Sequence, residues 1–221
     1  MKTALIIGAS GGIGSALSNA LAAQGVTVTG LSRSADGLDV ADATSVDQAL
    51  SKLDGPFDLI VIAIGILAAP DQSPEKSLSA ISADSMAQVF ATNTIGPALI
   101  LRHAARLLPK DAPATIAVLS ARVGSIGDNS IGGWHSYRAS KAALNQIVHG
   151  AAIELGRSHK HAVCVALHPG TVETDFTAKY AGRHKTVPAT EAAENLLRVM
   201  DNLTPADSGG FFDWAGKAVP W

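Results

Sequence analysis

Unbroken apolar runs at Thr3 to Ile7, Leu59 to Ile64, Thr115 to Leu119 and Ala162 to Leu167 predict strands buried on both faces. Val26 to Leu31 reads as a second strand and Gly210 to Trp214 as a short last one. Between them, apolar residues at helical spacing predict helices over Ile13 to Gln24, Ser45 to Leu53, Asp84 to Leu108, Ser136 to Arg157 and Thr190 to Asp201. Gly25 stops the first helix and Pro109 the long third one. Strands separated by helices predict βαβ units with right-handed crossovers, and so an α/β fold with a doubly wound parallel sheet. Such sheets bind ligands beyond the C-terminal ends of their strands.

Composition narrows the class. The chain has 221 residues, 47% hydrophobic and 16% charged, which suits one large domain over residues 1–221. No linker, repeat or low-complexity stretch divides it. Net charge is -2, from 17 basic and 19 acidic residues, with no basic block, so nucleic-acid binding has no electrostatic support. The single cysteine, Cys164, lies in a strand pattern and reads as a small buried hydrophobe. With no disulfide possible inside the chain, a reducing, cytoplasmic compartment is expected. Met1-Lys2 leads straight into a strand and lacks the pattern of a secretory signal. No apolar run approaches the roughly 20 residues that span a bilayer, so no membrane is expected. Apart from His135, the histidines (His103, His149, His159, His161, His168, His184) have no metal-ligand spacing, and no metal is expected.

The chemistry begins at the first strand-to-helix turn, Gly8-Ala9-Ser10-Gly11-Gly12-Ile13-Gly14. Glycines here allow a tight turn, close approach of a pyrophosphate and close helix-on-strand packing. The helix N-terminus adds unpaired N–H groups and a positive dipole end. The second strand ends in Ser32-Arg33, where an NAD site normally carries an acid for the ribose 2′-hydroxyl. A guanidinium beside a hydroxyl suits a 2′-phosphate, which predicts NADPH (NADP+) over NADH. Only five residues separate Arg33 from Asp39-Val40, too few for a crossover helix. The helix between strands two and three is therefore expected to be missing or reduced to a loop, and strand three very short.

A second constellation lies downstream. Tyr137 and Lys141 are one helical turn apart in Tyr137-Arg138-Ala139-Ser140-Lys141 and project from one helix face. An ammonium beside a phenol favours phenolate and is expected to lower the tyrosine pKa. Ser120 ends the strand Thr115 to Leu119 and points into the ligand crevice.

The glycine spacing, with Ser120, Tyr137 and Lys141, resembles the short-chain dehydrogenase/reductase superfamily, whose fold is Rossmann-like. The resemblance covers nearly the whole chain, and divides it into a cofactor half of roughly 1–110 and a catalytic half of roughly 111–221. The segments Gly132-Gly133-Trp134 through Lys141, and Ser208-Gly209-Gly210-Phe211-Phe212-Asp213-Trp214 to Pro220-Trp221, are similar to the compact bacterial C-factor proteins and sniffer-type carbonyl reductases.

The resemblance implies further roles. Asn93 matches a fourth catalytic position and is expected to fix a water on a proton path. Asp39 and Val40 lie beside the adenine. Ala63-Ile64-Gly65 stands where relatives read Asn-Ala-Gly, so Ala63 departs from the pattern while the backbone role of Gly65 survives. Pro169-Gly170-Thr171-Val172-Glu173-Thr174 lies along the nicotinamide, with Pro169, Gly170, Val172 and Thr174 in contact. Lys141 holds the nicotinamide ribose, and Tyr137 also touches the cofactor. Gly11 is a departure, because NADP-preferring relatives often carry a basic residue there.

The implied activity is NADPH-dependent reduction of a carbonyl, with Tyr137 as general acid and Ser120 orienting the oxygen. The alternative is an NADP(H)-binding signalling protein with little or no turnover. Between Ser120 and Tyr137, Gly124, Gly127, Gly132 and Gly133 predict a flexible loop. Trp134 at its end is either a pocket wall or a packing anchor, and His135 a weak candidate for a second acid. Val123, Ile66, Leu67 and Phe176 are candidate apolar walls, with Tyr180 nearby. A small, modestly apolar carbonyl substrate is expected. Pairing of the two long helices in relatives implies a homodimer.

Overall fold

The computed structural model describes residues 1–174, 176–177 and 186–221; Tyr180 and His184 lie outside the described residues. In chain order the elements are β1 (Thr3–Ile7), α1 (Gly12–Ala23), β2 (Thr27–Leu31), the one-turn α2 (Arg33–Asp36), α3 (Ala43–Ser51), β3 (Leu59–Ile62) and α4 (Ala83–Phe90). A π-helical turn at Ala91–Ile95 follows, then α5 (Gly96–Leu101), α6 (Ala104–Leu107), β4 (Ala114–Leu119), α7 (His135–Ser158) and β5 (Ala162–His168). The last are β6 (Val172–Glu173), β7 (Val187–Pro188), α8 (Ala189–Asn202) and β8 (Phe211–Asp213).

Six strands pair in parallel in the order β2-β1-β3-β4-β5-β8, and β6 and β7 form a separate two-stranded ribbon. The order reverses direction between β1 and β3, which opens a crevice beyond their C-terminal ends. The continuous apolar strands are buried on both faces. Leu5, Ile60, Ile116 and Cys164 pack under α3, α5, α6 and α7, with Leu50, Leu107, Leu144 and Val148 as partners. Ile6, Val61, Leu119 and Val165 face the other way, toward Leu17 and Leu21 of α1 and Leu196 and Met200 of α8. Each fully buried leucine or isoleucine stabilises by about 1.5–3 kcal/mol relative to exposure.

Two expectations are corrected. Strand three does not form: Arg33–Asp36 makes one helical turn closed by Gly37 (φ 68°), and Asp39 and Val40 lie outside the sheet. A parallel strand needs a crossover of a dozen or more residues, which this segment lacks. The long helix over Asp84 to Leu108 is also broken. Pro97 has no N–H for the carbonyl of Asn93, so a regular helical ladder cannot run through it, and the wider turn Ala91–Ile95 absorbs the defect. The helical segment still ends before Pro109, with Leu108 extended at φ -98°, ψ 149°.

Candidate active site

The glycine turn is built to leave room. Gly8 sits at φ 93°, and a Cβ there would lie 2.4 Å from the Ala63 carbonyl oxygen. A Cβ on Gly14 would lie 2.1 Å from the Gly8 oxygen, and one on Gly12 would lie 2.5 Å from Cγ2 of Thr174. Helix α1 starts at Gly12 with Gly11 as its cap, and no side chain caps it. Its first N–H groups therefore face the crevice beside Ser10 and Ile13 without a side-chain acceptor, an arrangement that fits a pyrophosphate. Thr174, following Pro169, Gly170 and the buried Val172, closes over this turn. Ala63 extends the ladder by donating its N–H to Ile7 O at 2.7 Å.

At the end of β2 the exposed Arg33 accepts the Gly37 N–H at its carbonyl, while its guanidinium makes no hydrogen bond or ion pair with the described residues. Ser32 differs from the expected free hydroxyl. It is buried, its Oγ accepts the Ala35 N–H at 3.1 Å, and its own N–H donates to Asp36 Oδ2 at 2.8 Å. It caps α2, and capping uses the oxygen. Asp39 is exposed and accepts the Ala41 N–H at 3.0 Å, while Val40 packs against Gly96.

The other end of the crevice is dense and buried. Tyr137 and Lys141 lie on one face of α7 with 6% and 3% of their surface exposed, and Ser120 directly follows β4 with 4% exposed. Lys141 Nζ donates to Leu119 O at 2.9 Å and lies 6.0 Å from the Tyr137 ring centroid. A Cβ on Gly65 would sit 3.3 Å from Asn93 Oδ1 and 3.4 Å from Lys141 Nζ, so the glycine backbone lies close against both groups. Gly124, expected in a flexible loop, instead packs on Lys141: an added Cβ would lie 2.8 Å from the lysine Cβ.

Burial sets the electrostatics. It pushes the Lys141 pKa down to about 7 and the Tyr137 phenol well above its usual value. The expected lowering of the tyrosine by its lysine is thus corrected for this state of the protein. Desolvation outweighs an ammonium that is itself half discharged near neutrality. The consequence is a phenol that keeps its proton at working pH.

Asn93 is fully buried in the π turn. Its Oδ1 accepts the Ile66 N–H at 2.7 Å, and its Nδ2 donates to Ile66 O at 2.8 Å and to Ser140 Oγ at 3.1 Å. With both N–H groups engaged, the side chain clamps the segment after β3 to α7. Thr94 adds a bond from its hydroxyl to Ser140 O at 2.8 Å.

Two residues escaped sequence reasoning. Asn145, one turn beyond Lys141, accepts the Ser120 hydroxyl proton at 2.6 Å. The spacing 137, 141, 145 was the available signal. Glu75 accepts the Ser136 N–H at 3.2 Å and the Ser136 hydroxyl, and its carbonyl accepts the Trp134 N–H at 2.5 Å. It caps α7 from 61 positions away in sequence, so nothing local marked it. Trp134 takes a left-handed turn (φ 51°) and sets its ring edge-on to Tyr137 at 6.3 Å. Phe176 lies 6.1 Å from Tyr137 on ring centroids and is 40% exposed. Trp134 and Phe176 therefore flank the phenol ring.

Comparison with known proteins matches this architecture. The family described as enoyl-(acyl carrier protein) reductase matches residues 8–211, and the chain belongs to the short-chain dehydrogenase/reductase family. It is 36% identical to the C-signal protein of Myxococcus xanthus over 76% of this chain and 94% of that protein. It is 30% identical to 1-hydroxy-2-glutathionyl-2-methyl-3-butene dehydrogenase of a Rhodococcus species, over the full length of both. Among solved structures it is similar to NADPH-bound carbonyl reductase from chicken fatty liver, with a TM-score of 0.80 and 27% identity over 100% of this chain and 99% of that one. The chain is an oxidoreductase of this family. Among the described residues no helix is long and apolar enough to cross a membrane.

Proposed function

We propose that the protein reduces a carbonyl to an alcohol with NADPH, and that Ser120, Tyr137, Lys141 and Asn93 carry the reaction. The observation that carries this reading is a buried phenol and Lys141 on one face of α7, with the lysine bonded to Leu119 O next to the buried Ser120, in a fold whose first helix opens on an uncapped glycine turn. The NADPH bound to the chicken relative supports the cofactor assignment. The dinucleotide supplies the hydride. Gly8, Ser10, Gly11, Gly12, Ile13 and Gly14 receive its pyrophosphate, and Arg33 the 2′-phosphate. Asp39, Val40, Ala63, Ile64, Gly65, Pro169, Gly170, Val172 and Thr174 line the remainder of its path.

Tyr137 donates its proton to the substrate oxygen as negative charge grows there. Ser120 hydrogen-bonds the same oxygen and fixes its position. Lys141, cationic below about pH 7, eases loss of the tyrosine proton and holds the nicotinamide ribose. Asn93 keeps α7 and the segment after β3 in register and fixes the water that continues the proton path. Residues 1–110 form the cofactor half and residues 111–221 the catalytic half of one domain. Trp134 and Phe176 favour a small apolar substrate. A homodimer through α4, α5 and α7, acting in the cytoplasm, completes the reading.

The test is NADPH oxidation against aldehydes, ketones, quinones, 3-oxoacyl thioesters and α,β-unsaturated carbonyls, with NADH and Tyr137→Phe as controls. Turnover that prefers NADPH and needs Tyr137 is expected. A second reading, a dinucleotide-binding signalling protein with little turnover, draws on the likeness to C-signal. NADPH binding without reduction of any compound would favour it.

A further inference from the structure

The hydroxyl of Ser120 has one proton, and here that proton is directed at Asn145 Oδ1, 2.6 Å away. In this arrangement Ser120 has only lone pairs to offer a substrate oxygen, which needs a donor. Asn145 is 2% exposed, and its Nδ2 is a buried donor with no partner, one of two such orphaned side-chain atoms among the described residues. A buried unpaired N–H costs about 1–3 kcal/mol, whereas a carbonyl oxygen short of a partner is tolerated more often. The asparagine amide is nearly symmetric in shape, so a half-turn about χ2 exchanges Oδ1 and Nδ2. After that exchange Nδ2 donates to Ser120 Oγ, and the serine proton is free to point into the crevice. The same turn converts the orphaned donor into an under-used acceptor. Tyr137, Lys141 and Asn145 recur every fourth residue on α7, so the helix face that presents the phenol also presents this amide to Ser120.

We infer that Asn145 is the positioning residue for Ser120, donating its amide N–H to the serine oxygen so that the serine proton is aimed at the substrate carbonyl. The inference rests on the reductase reading above. It acts through Ser120 alone, touching neither substrate nor cofactor.

The experiment compares wild type, Ser120→Ala, Asn145→Leu, the double variant and Asn145→Asp. It measures kcat, KM, NADPH affinity and thermal unfolding for each. Asn145→Leu should lower kcat on the order of 10-fold, the worth of one hydrogen bond, with KM and NADPH affinity little changed. In the Ser120→Ala background the same change should add nothing further. Burial favours a neutral carboxyl, so Asn145→Asp is measured across pH: once ionised it only accepts and should capture the serine proton. Its kcat should approach that of Ser120→Ala, about 10²-fold below wild type. Multiplicative losses in the double variant, or an Asn145→Asp protein that turns over like wild type at the pH where its carboxyl is ionised, would overturn the assignment. If wild type binds NADPH and reduces nothing, the reductase reading fails separately. The unfolding midpoints then decide the positioning claim: non-additive destabilisation by Ser120→Ala and Asn145→Leu keeps it, and additive destabilisation sinks it.

Discussion

The two ends of the crevice are built on opposite plans. At the end of β2, Arg33 and Asp39 are exposed, on a short turn held mainly by its own backbone and by Ser32. At the ends of β3 and β4, the polar side chains of the constellation are buried and bonded across elements. Asn93 comes from the π turn, Ser120 from β4, Lys141 and Asn145 from α7, and Glu75 from the loop after β3. An exposed side chain can change without disturbing its neighbours, so the first end can alter recognition at little structural cost. A buried polar side chain leaves its partners unsatisfied when it is removed, so at the second end chemistry and stability are tied together.

This contrast is open to direct attack. The largest effect is expected from Tyr137→Phe, which removes one oxygen and no packing. Carbonyl reduction should fall about 10²- to 10⁴-fold while the unfolding temperature is kept. A variant that still turned over normally would detach the chemistry from α7. Asn93→Ala should destabilise by about 2–3 kcal/mol, since it leaves the Ile66 N–H and carbonyl and the Ser140 hydroxyl without their partner. Urea unfolding measures this, and a change within a few tenths of a kcal/mol would show that the clamp is not structural.

Lys141→Met probes the desolvated charge through pH. The folded-state pKa of Lys141, about 7, lies below its unfolded value. Folding therefore carries the full burial penalty below pH 7 and loses it as pH rises from about 7 toward the unfolded pKa. Lys141→Met should raise the unfolding temperature of the cofactor-free protein most at pH 6 and hardly at all near pH 10. A gain equal at both pH values would mean that the lysine is solvated. The smallest structural effect belongs to Arg33→Ala. It should reduce the preference for NADPH over NADH by about 10-fold and leave the unfolding temperature unchanged. Cofactor titration with both dinucleotides checks it, and an unaltered preference would move 2′-phosphate recognition to another group.

The difference between the two ends also explains what could be read in advance. The glycine turn, Tyr137 and Lys141 were legible because each depends on short-range spacing within one turn or one helical repeat. The absence of a full crossover helix followed from chain length, since five residues cannot cross over; only the folded structure showed that strand three is lost altogether and that Arg33–Asp36 forms α2 with Ser32 as its cap. Gly96-Pro97 carried a signal for the break in the long helix, but the apolar periodicity on either side masked it. Glu75 carried no signal at all, because its partner is the start of a helix 61 positions downstream.

By itself the sequence determined the strand and helix alternation, the doubly wound parallel sheet, the glycine turn and the pairing of Tyr137 with Lys141. Those features follow from periodicity and from residue types a few positions apart. Tertiary structure decided the rest. Long-range packing buried Lys141 and Tyr137 deeply enough to push their pKa values toward the neutral forms. It also set Asn93 against Ile66 and Ser140 and brought Asn145 to Ser120. Desolvation and contacts between residues far apart in sequence arise only when the elements pack, and they fix how each group behaves.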